Sequence, residues 1–264
     1  MSIAPEEPLS GEAPAVKNEQ TEPAPPPPRR RRWPRVLLIL LGAFVLYLAR
    51  EAITWPDVAA LADKHPKTTA FIKRYEQGPW WGLGPDRKAE WKWVSYGRIS
   101  SNLKRAVLVS EDIRFFAHEG FDEVEMRAAL EDAWEDKELP RGASTLTQQV
   151  AKNLWLSPSY NPLRKVKEAL LTKQLERELK KRRILEIYLN VAEFGPGVFG
   201  AEAASRHYFG KSAASLTETQ AAQLAASLSR PRSWHPGVKS KSYQKKVRSI
   251  QRRMTKARWL RKQV

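Results

Sequence analysis

The sequence predicts a mainly α protein preceded by one membrane-spanning helix. Three observations carry this expectation. From residue 101 onward apolar side chains recur at helical spacing, as in Leu103, Val107 and Leu108. Capping pairs such as Thr145 with Gln148 and Thr217 with Gln220 punctuate that stretch, and few segments alternate with period two. Ahead of it, residues 36–49 (VLLILLGAFVLYLA) carry no charge.

Residues 1–35 are poor in large apolar side chains. They hold Pro23, Pro25, Pro26, Pro27 and Pro28, then Arg29, Arg30, Arg31, Arg32 and Arg35. Such a composition cannot bury enough surface to order itself, so a disordered, partly polyproline arm is expected. Residues 36–55 are expected to anchor the chain. The uncharged run falls short of the ~20 residues of a full crossing. Trp33 and Trp55 flank it at interfacial positions, Arg50 is able to snorkel, and Ile53 adds apolar length. A cleaved signal peptide is the rival reading, but the leader would be long and no A-x-A site follows. A buried soluble helix is disfavoured by the five neighbouring arginines. Basic residues ahead of the span predict a cytoplasmic N-terminus and the body of the chain on the other side of the membrane.

Residues 56–100 are punctuated by Pro56, Gly78, Pro79, Gly82, Gly84 and Pro85. Trp80, Trp81, Trp91 and Trp93 cluster here, as a membrane-contacting surface or as an ordinary aromatic mini-core. Residues 101–230 read as the mostly helical core of the chain. One helix is expected to end near Phe115, and a second to open at Asp122 with Glu125. A third opens at Thr145, a fourth at Asn161-Pro162 running to about Leu179. Further helices follow at 184–189 and from Thr217 to Leu228. Residues 231–264 read as a basic tail.

Charge narrows the functional classes. The 264 residues include 46 Lys and Arg against 29 Asp and Glu, a net charge of +17. Residues 1–35 are near balance, 36–229 carry 27 bases and 24 acids, and 230–264 carry 13 bases and no acid. A nucleic-acid-binding domain would show its excess in the body, so nucleic acid is not the expected partner. The tail is expected against anionic lipid headgroups. Cysteine is absent, which removes disulfides, thiol nucleophiles and Cys-ligated zinc.

Carboxylates and cations are therefore the candidate reactive groups. Glu111 sits in VSEDIRFFAHEGFD among Val107, Leu108, Ile113, Phe115 and Phe116. It reads either as a solvated helix-end residue or as a general acid or base in apolar company. His118 reads as a structural, hydrogen-bonding histidine. Glu168 lies four residues after Arg164 and three after Lys165, on one helix face. That grouping is either a surface ion-pair cluster or a phosphate site, with or without a metal ion. Gly142, Ser144, Thr145, Gln148 and Gln149 offer donors at a helix start, followed by Lys152 and Asn153.

In order, these segments resemble the bacterial peptidoglycan glycosyltransferases. E-D-x-x-F-x-x-H-x-G-F-D at 111–122 is similar to the family's first motif, with Asp112, Phe115 and His118 as supporting positions. GASTLTQQ at 142–149 with Lys152-Asn153 is similar to the second. R-K-x-x-E at 164–168 and K-x-x-I-L-E-x-Y-L-N at 181–190 are similar to the third and fourth. FGPGVFG at 194–200 and YFGK at 208–211 also fit, so the likeness covers about 90–230.

The resemblance implies a lysozyme-like glycosyltransferase domain with a smaller membrane-proximal lobe. It implies polymerisation of lipid II into β-1,4-linked glycan with release of polyprenyl pyrophosphate. Glu111 would be the general base. Lys152, Arg164 and Lys165 would face the pyrophosphate, and Thr145, Gln148, Gln149 and Asn153 would line the substrate site. Glu168 would orient the cations or hold a divalent cation, expected to be Mg²⁺. Lipid II, the growing strand, membrane lipids and cell-wall or division proteins are the expected partners. Ser101 to Lys104 reads S-x-x-K, but no K-T-G follows, so no transpeptidase activity is expected. A glycan-cleaving lysozyme-like enzyme and a membrane-anchored scaffold are the alternatives.

Overall fold

The structure, a computed structural model, describes Met1 and residues 33–78, 87–136, 142, 144–156 and 162–264. The proline-rich arm, Arg29 to Arg32, Trp80, Trp81 and the Asn161 cap lie outside the described residues. The chain divides into two units, Met1–Trp55 and Pro56–Val264.

The first unit is helix α1, Trp33–Ile53. Its segment Arg35–Ile53 is long and apolar enough to cross a membrane. The helix continues past the uncharged run through Arg50 and Glu51, which adds the length that the run lacked. Leu38, Ile39 and Leu46 are exposed along it.

The second unit is built from nine further helices among the described residues. Helix α2 is Ala70–Gln77, α3 Ser101–Glu111, α4 Glu123–Asp136 and α5 Leu146–Trp155. Then come α6 Pro162–Glu178, α7 Lys181–Val191, α8 Ala201–Phe209, α9 Glu218–Ser227 and α10 Lys241–Lys256. Three short strands, β1 Glu90–Trp91, β2 Glu193–Gly195 and β3 Val198–Phe199, form a sheet in the order β1-β3-β2. Strand β3 runs parallel to β1 and antiparallel to β2.

Local chemistry explains the boundaries. The backbone N–H of Leu103 donates to Ser100 Oγ (3.1 Å) at the start of α3, and that of Glu125 to Asp122 Oδ1 (3.1 Å) at α4. Of the expected capping boxes, those at Thr145/Gln148 and Thr217/Gln220 form in full. Helix α3 ends at Glu111 rather than near Phe115. Asp112 leaves helical geometry, and a separate 3-10 turn covers Phe115–Ala117. Helix α5 packs against α6 and α7, and α9 packs against α3 and α10. Leu103, Leu108, Leu146, Val150, Ile184 and Leu224 are buried between them.

Two sequence-based boundaries change. Residues 231–264 are not a tail lying outside the core. Helix α10 buries Tyr243, Val247, Ile250 and Met254, and Leu260 is buried beyond it. Those four side chains follow a helical stripe, and each contributes about 1.5–3 kcal/mol by leaving water. Arg105 Nη2 donates to the Met254 carbonyl (2.9 Å), and Tyr243 Oη to that of Gln223 (3.0 Å). The basic residues occupy the other face of this helix. The 56–100 segment is likewise part of the second unit. Val94 N donates to Asn190 Oδ1 (2.9 Å), while Asn190 Nδ2 donates back to the Val94 carbonyl (2.9 Å). Gly200 makes the closing turn possible. Its φ is +80°, and a Cβ there would lie 2.6 Å from the Asn190 carbonyl oxygen.

Candidate active site

Glu111 is the last residue of α3 and is half-buried. Ser110 Oγ donates to its Oε1 (3.0 Å), and Gln149 Nε2 to its Oε2 (3.2 Å). Tyr188 Oη donates in turn to Gln149 Oε1 (3.1 Å), which fixes the amide's orientation. Burial, then the negative charges of Glu111 and Asp112, hold the Tyr188 phenol well above its usual range. The Glu111 carboxylate thus meets two neutral donors, Ser110 of α3 and Gln149 of α5, the latter oriented by Tyr188 of α7.

The adjacent Asp112 is buried and does structural work. Its Oδ2 accepts the backbone N–H of Leu146 (2.9 Å), at the start of α5. Its Oδ1 receives His118 Nε2 (3.0 Å), while His118 Nδ1 accepts from the Gly120 N–H (3.2 Å). Because Nδ1 is an acceptor, the imidazole proton sits on Nε2 and points at Asp112. Thr145 Oγ1 donates to the Gly120 carbonyl (2.7 Å), and Thr145 N donates to Gln148 Oε1 (2.9 Å). The first and second motifs are therefore bolted together. Thr145 and Gln148 serve the cap of α5 and the loop at Gly120. Phe115 is fully buried, with Lys181 Nζ 4.5 Å from its ring centre. Ser144 is exposed, and Asn153 is buried on α5.

Glu168 lies on α6 and is 3% exposed. Arg164 Nη1 donates to its Oε2 (3.2 Å), and Lys165 Nζ donates to its Oε1. The i,i+4 and i,i+3 spacings place all three on one face. Lys152 lies on α5, three residues beyond Gln149. Burial pushes its ammonium below the usual lysine range. Glu168 opposes that shift, Arg164 and Lys165 add to it, and Glu111 opposes it more weakly. Lys152 thus senses both carboxylates, and the packing of α5 on α6 brings the second and third motifs together.

The described residues do not fit a divalent cation at Glu168. Magnesium takes hard oxygen ligands in octahedral geometry. Here one carboxylate has both oxygens engaged by cations, with Lys152 as a third positive charge. Asp112, His118 and Asp122 are the one described trio with metal-ligand spacing. Their groups are already committed to each other, to Leu146 N, to Glu125 N and to Arg114, whose Nε is 3.1 Å from Asp122.

Sequence reasoning missed Tyr188 as a site residue, although it lies inside the 181–190 motif. Its signal was a phenol on an otherwise apolar helix face, since Ile184, Leu185, Ile187, Leu189 and Val191 are all buried there.

The transglycosylase family model matches residues 82–255. A biosynthetic peptidoglycan transglycosylase of Chromobacterium violaceum is 44% identical over 83% of this chain and 95% of its own length. Its namesake from Methylobacillus flagellatus is 43% identical over 81% and 93%. A third, from Neisseria gonorrhoeae, is 41% identical over 84% and 94%.

Proposed function

The chain belongs to the transglycosylase family and is a peptidoglycan glycosyltransferase of cell-wall synthesis, and within that activity we propose that Glu111 and the Glu168 cation cluster divide the reaction between them. The domain is the family's lysozyme-like, mainly helical one.

The substrates in this reading are lipid II as acceptor and the growing strand on its polyprenyl pyrophosphate as donor. The acceptor sugar 4-hydroxyl attacks the donor anomeric carbon from the face opposite the phosphate. The new C–O bond forms as the bond to pyrophosphate breaks, so an α linkage becomes β-1,4. Glu111 takes the hydroxyl proton, and the Gln149–Tyr188 relay holds its carboxylate in position. The departing pyrophosphate gathers negative charge. Lys152, Arg164 and Lys165 stabilise that charge more than the ground state. Glu168 positions Arg164 and Lys165. With both oxygens engaged by cations, Glu168 would serve to position them rather than to hold a divalent cation.

The observation that carries the proposal is the meeting of α5 and α6. It brings Lys152 of α5 to Arg164, Lys165 and Glu168 of α6, while Glu111 acts on the same lysine from the end of α3. The membrane fits the same scheme, because a polyprenyl chain leaves a bilayer at a cost of about 0.8 kcal/mol per methylene. Helix α1 supplies an anchor, with the N-terminus cytoplasmic and the second unit outside. Met126, Leu130 and Trp134 on α4, with Leu163, Val166 and Leu170 on α6, expose apolar stripes suited to lipid contact.

Purified full-length protein with labelled lipid II tests the function, with and without a chelator. Long polymer that a muramidase digests is the expected product. Soluble fragments released from finished cell wall, with no polymer, would instead mark a lytic enzyme.

A further inference from the structure

Away from the Glu111 and Glu168 residues, a cavity of about 590 Å³ lies among Lys64, His65, Lys67, Trp91 and Trp93. We propose that it is a separate glycan-binding site, which grips the product strand through its sugar rings and the carboxylates of its peptides. The proposal rests on the glycosyltransferase reading, which makes such a strand the product.

Residues 63–67, Trp91 and Trp93 form the walls, and helix α7 braces them from behind. Trp91 and Trp93 are two residues apart where β1 ends, so they project to the same side of extended chain. Trp91 Nε1 donates to the Asn190 carbonyl (2.7 Å), which locks the indole plane. Arg183 Nε donates to the Leu61 carbonyl (2.7 Å) and Nη2 to that of Lys64 (2.8 Å). The same guanidinium lies 5.5 Å from the Trp93 ring centre and pairs with Glu186 at 2.7 Å. His65 stacks on Trp93 at 5.2 Å with 21° between the planes. Both indoles stay half-buried, and Lys64, His65 and Lys67 are exposed at the rim. Asp63 is the single acid in the lining.

This combination selects a ligand class. Fixed, partly open indoles in a concavity suit rigid rings with an apolar C–H face, as pyranoses have. The excess of rim lysines suits an anionic substituent, and a peptide-bearing glycan supplies carboxylates at each repeat. A flat lipid surface would be met by convex apolar side chains, as on α4 and α6. Helix α7 also carries Tyr188 to the Glu111 network, so one rigid element supports both sites. A strand held at a second point rebinds before it escapes, which lengthens the product without altering the chemical step.

The test uses full-length protein in neutral detergent micelles and soluble, uncrosslinked peptidoglycan strands as the probe. Strand affinity is measured without lipid II, so its outcome is independent of polymerisation. The double variant Lys64→Ala/Lys67→Ala changes only exposed side chains. It is expected to bind strands roughly tenfold more weakly. It should also make shorter polymer from lipid II at an unchanged initial rate. Strands stripped of peptide should bind both proteins equally, and Trp93→Ala should weaken both kinds of strand. Unchanged strand affinity and polymer length in the double variant would overturn the proposal. So would a loss seen only as weaker binding to micelles doped with phosphatidylglycerol, which would mark a headgroup site.

Discussion

Glu111 at the end of α3 takes its hydrogen bonds from neutral groups, Ser110 and Gln149, whereas Glu168 on α6 takes both of its from cations. The side chain is the same and the surroundings differ. Neutral donors orient a base without adding charge beside the incoming hydroxyl. A carboxylate clasped by Arg164 and Lys165 instead fixes two cations in space. The environment assigns the work, and Lys152, which senses both carboxylates, joins the two regions.

Replacing Glu111 by Gln probes the base side most severely. Turnover of lipid II should fall by about 10²–10⁴-fold with folding intact, read by thermal melting alongside the rate. On the cationic side, Lys152→Ala or Arg164→Ala should cost about 10²–10³-fold, with Lys152→Arg losing less. The sign of the pH effect follows from the Lys152 shift. Its charged form is lost as pH rises through a value below the usual lysine range. The rate should therefore decline on the alkaline side in wild type, and Lys152→Arg should move that decline to higher pH. Tyr188→Phe removes one hydrogen bond to Gln149 and should slow turnover by roughly 5–10-fold, with little change in melting temperature. If Tyr188→Phe cost as much as Glu111→Gln, Tyr188 would be acting on substrate and not through Gln149.

What was legible in the sequence was mostly local. The capping boxes at Thr145 and Thr217 are contained in four residues each, so they could be read without knowing the fold. The grouping of Arg164, Lys165 and Glu168 follows from helix periodicity alone. The part played by Asp112 was not legible, because its partners are a backbone N–H 34 residues away and a histidine tautomer. Helix α10 shows how charge masks a pattern. Tyr243, Val247, Ile250 and Met254 have helical spacing, yet the surrounding bases make 231–264 read as a basic tail suited to lipid headgroups. Only the surfaces of α3 and α9 give the stripe something to bury against. Truncation after residue 240 should accordingly lower the melting temperature and the yield of folded protein, not merely its binding to lipid.

The division of labour is tested most directly by measuring binding and turnover of labelled lipid II side by side in Glu111→Gln and Glu168→Gln. Glu111→Gln should bind lipid II as wild type does and make no detectable polymer, while Glu168→Gln should lose both binding and turnover. Near wild-type polymer from Glu111→Gln would contradict the account.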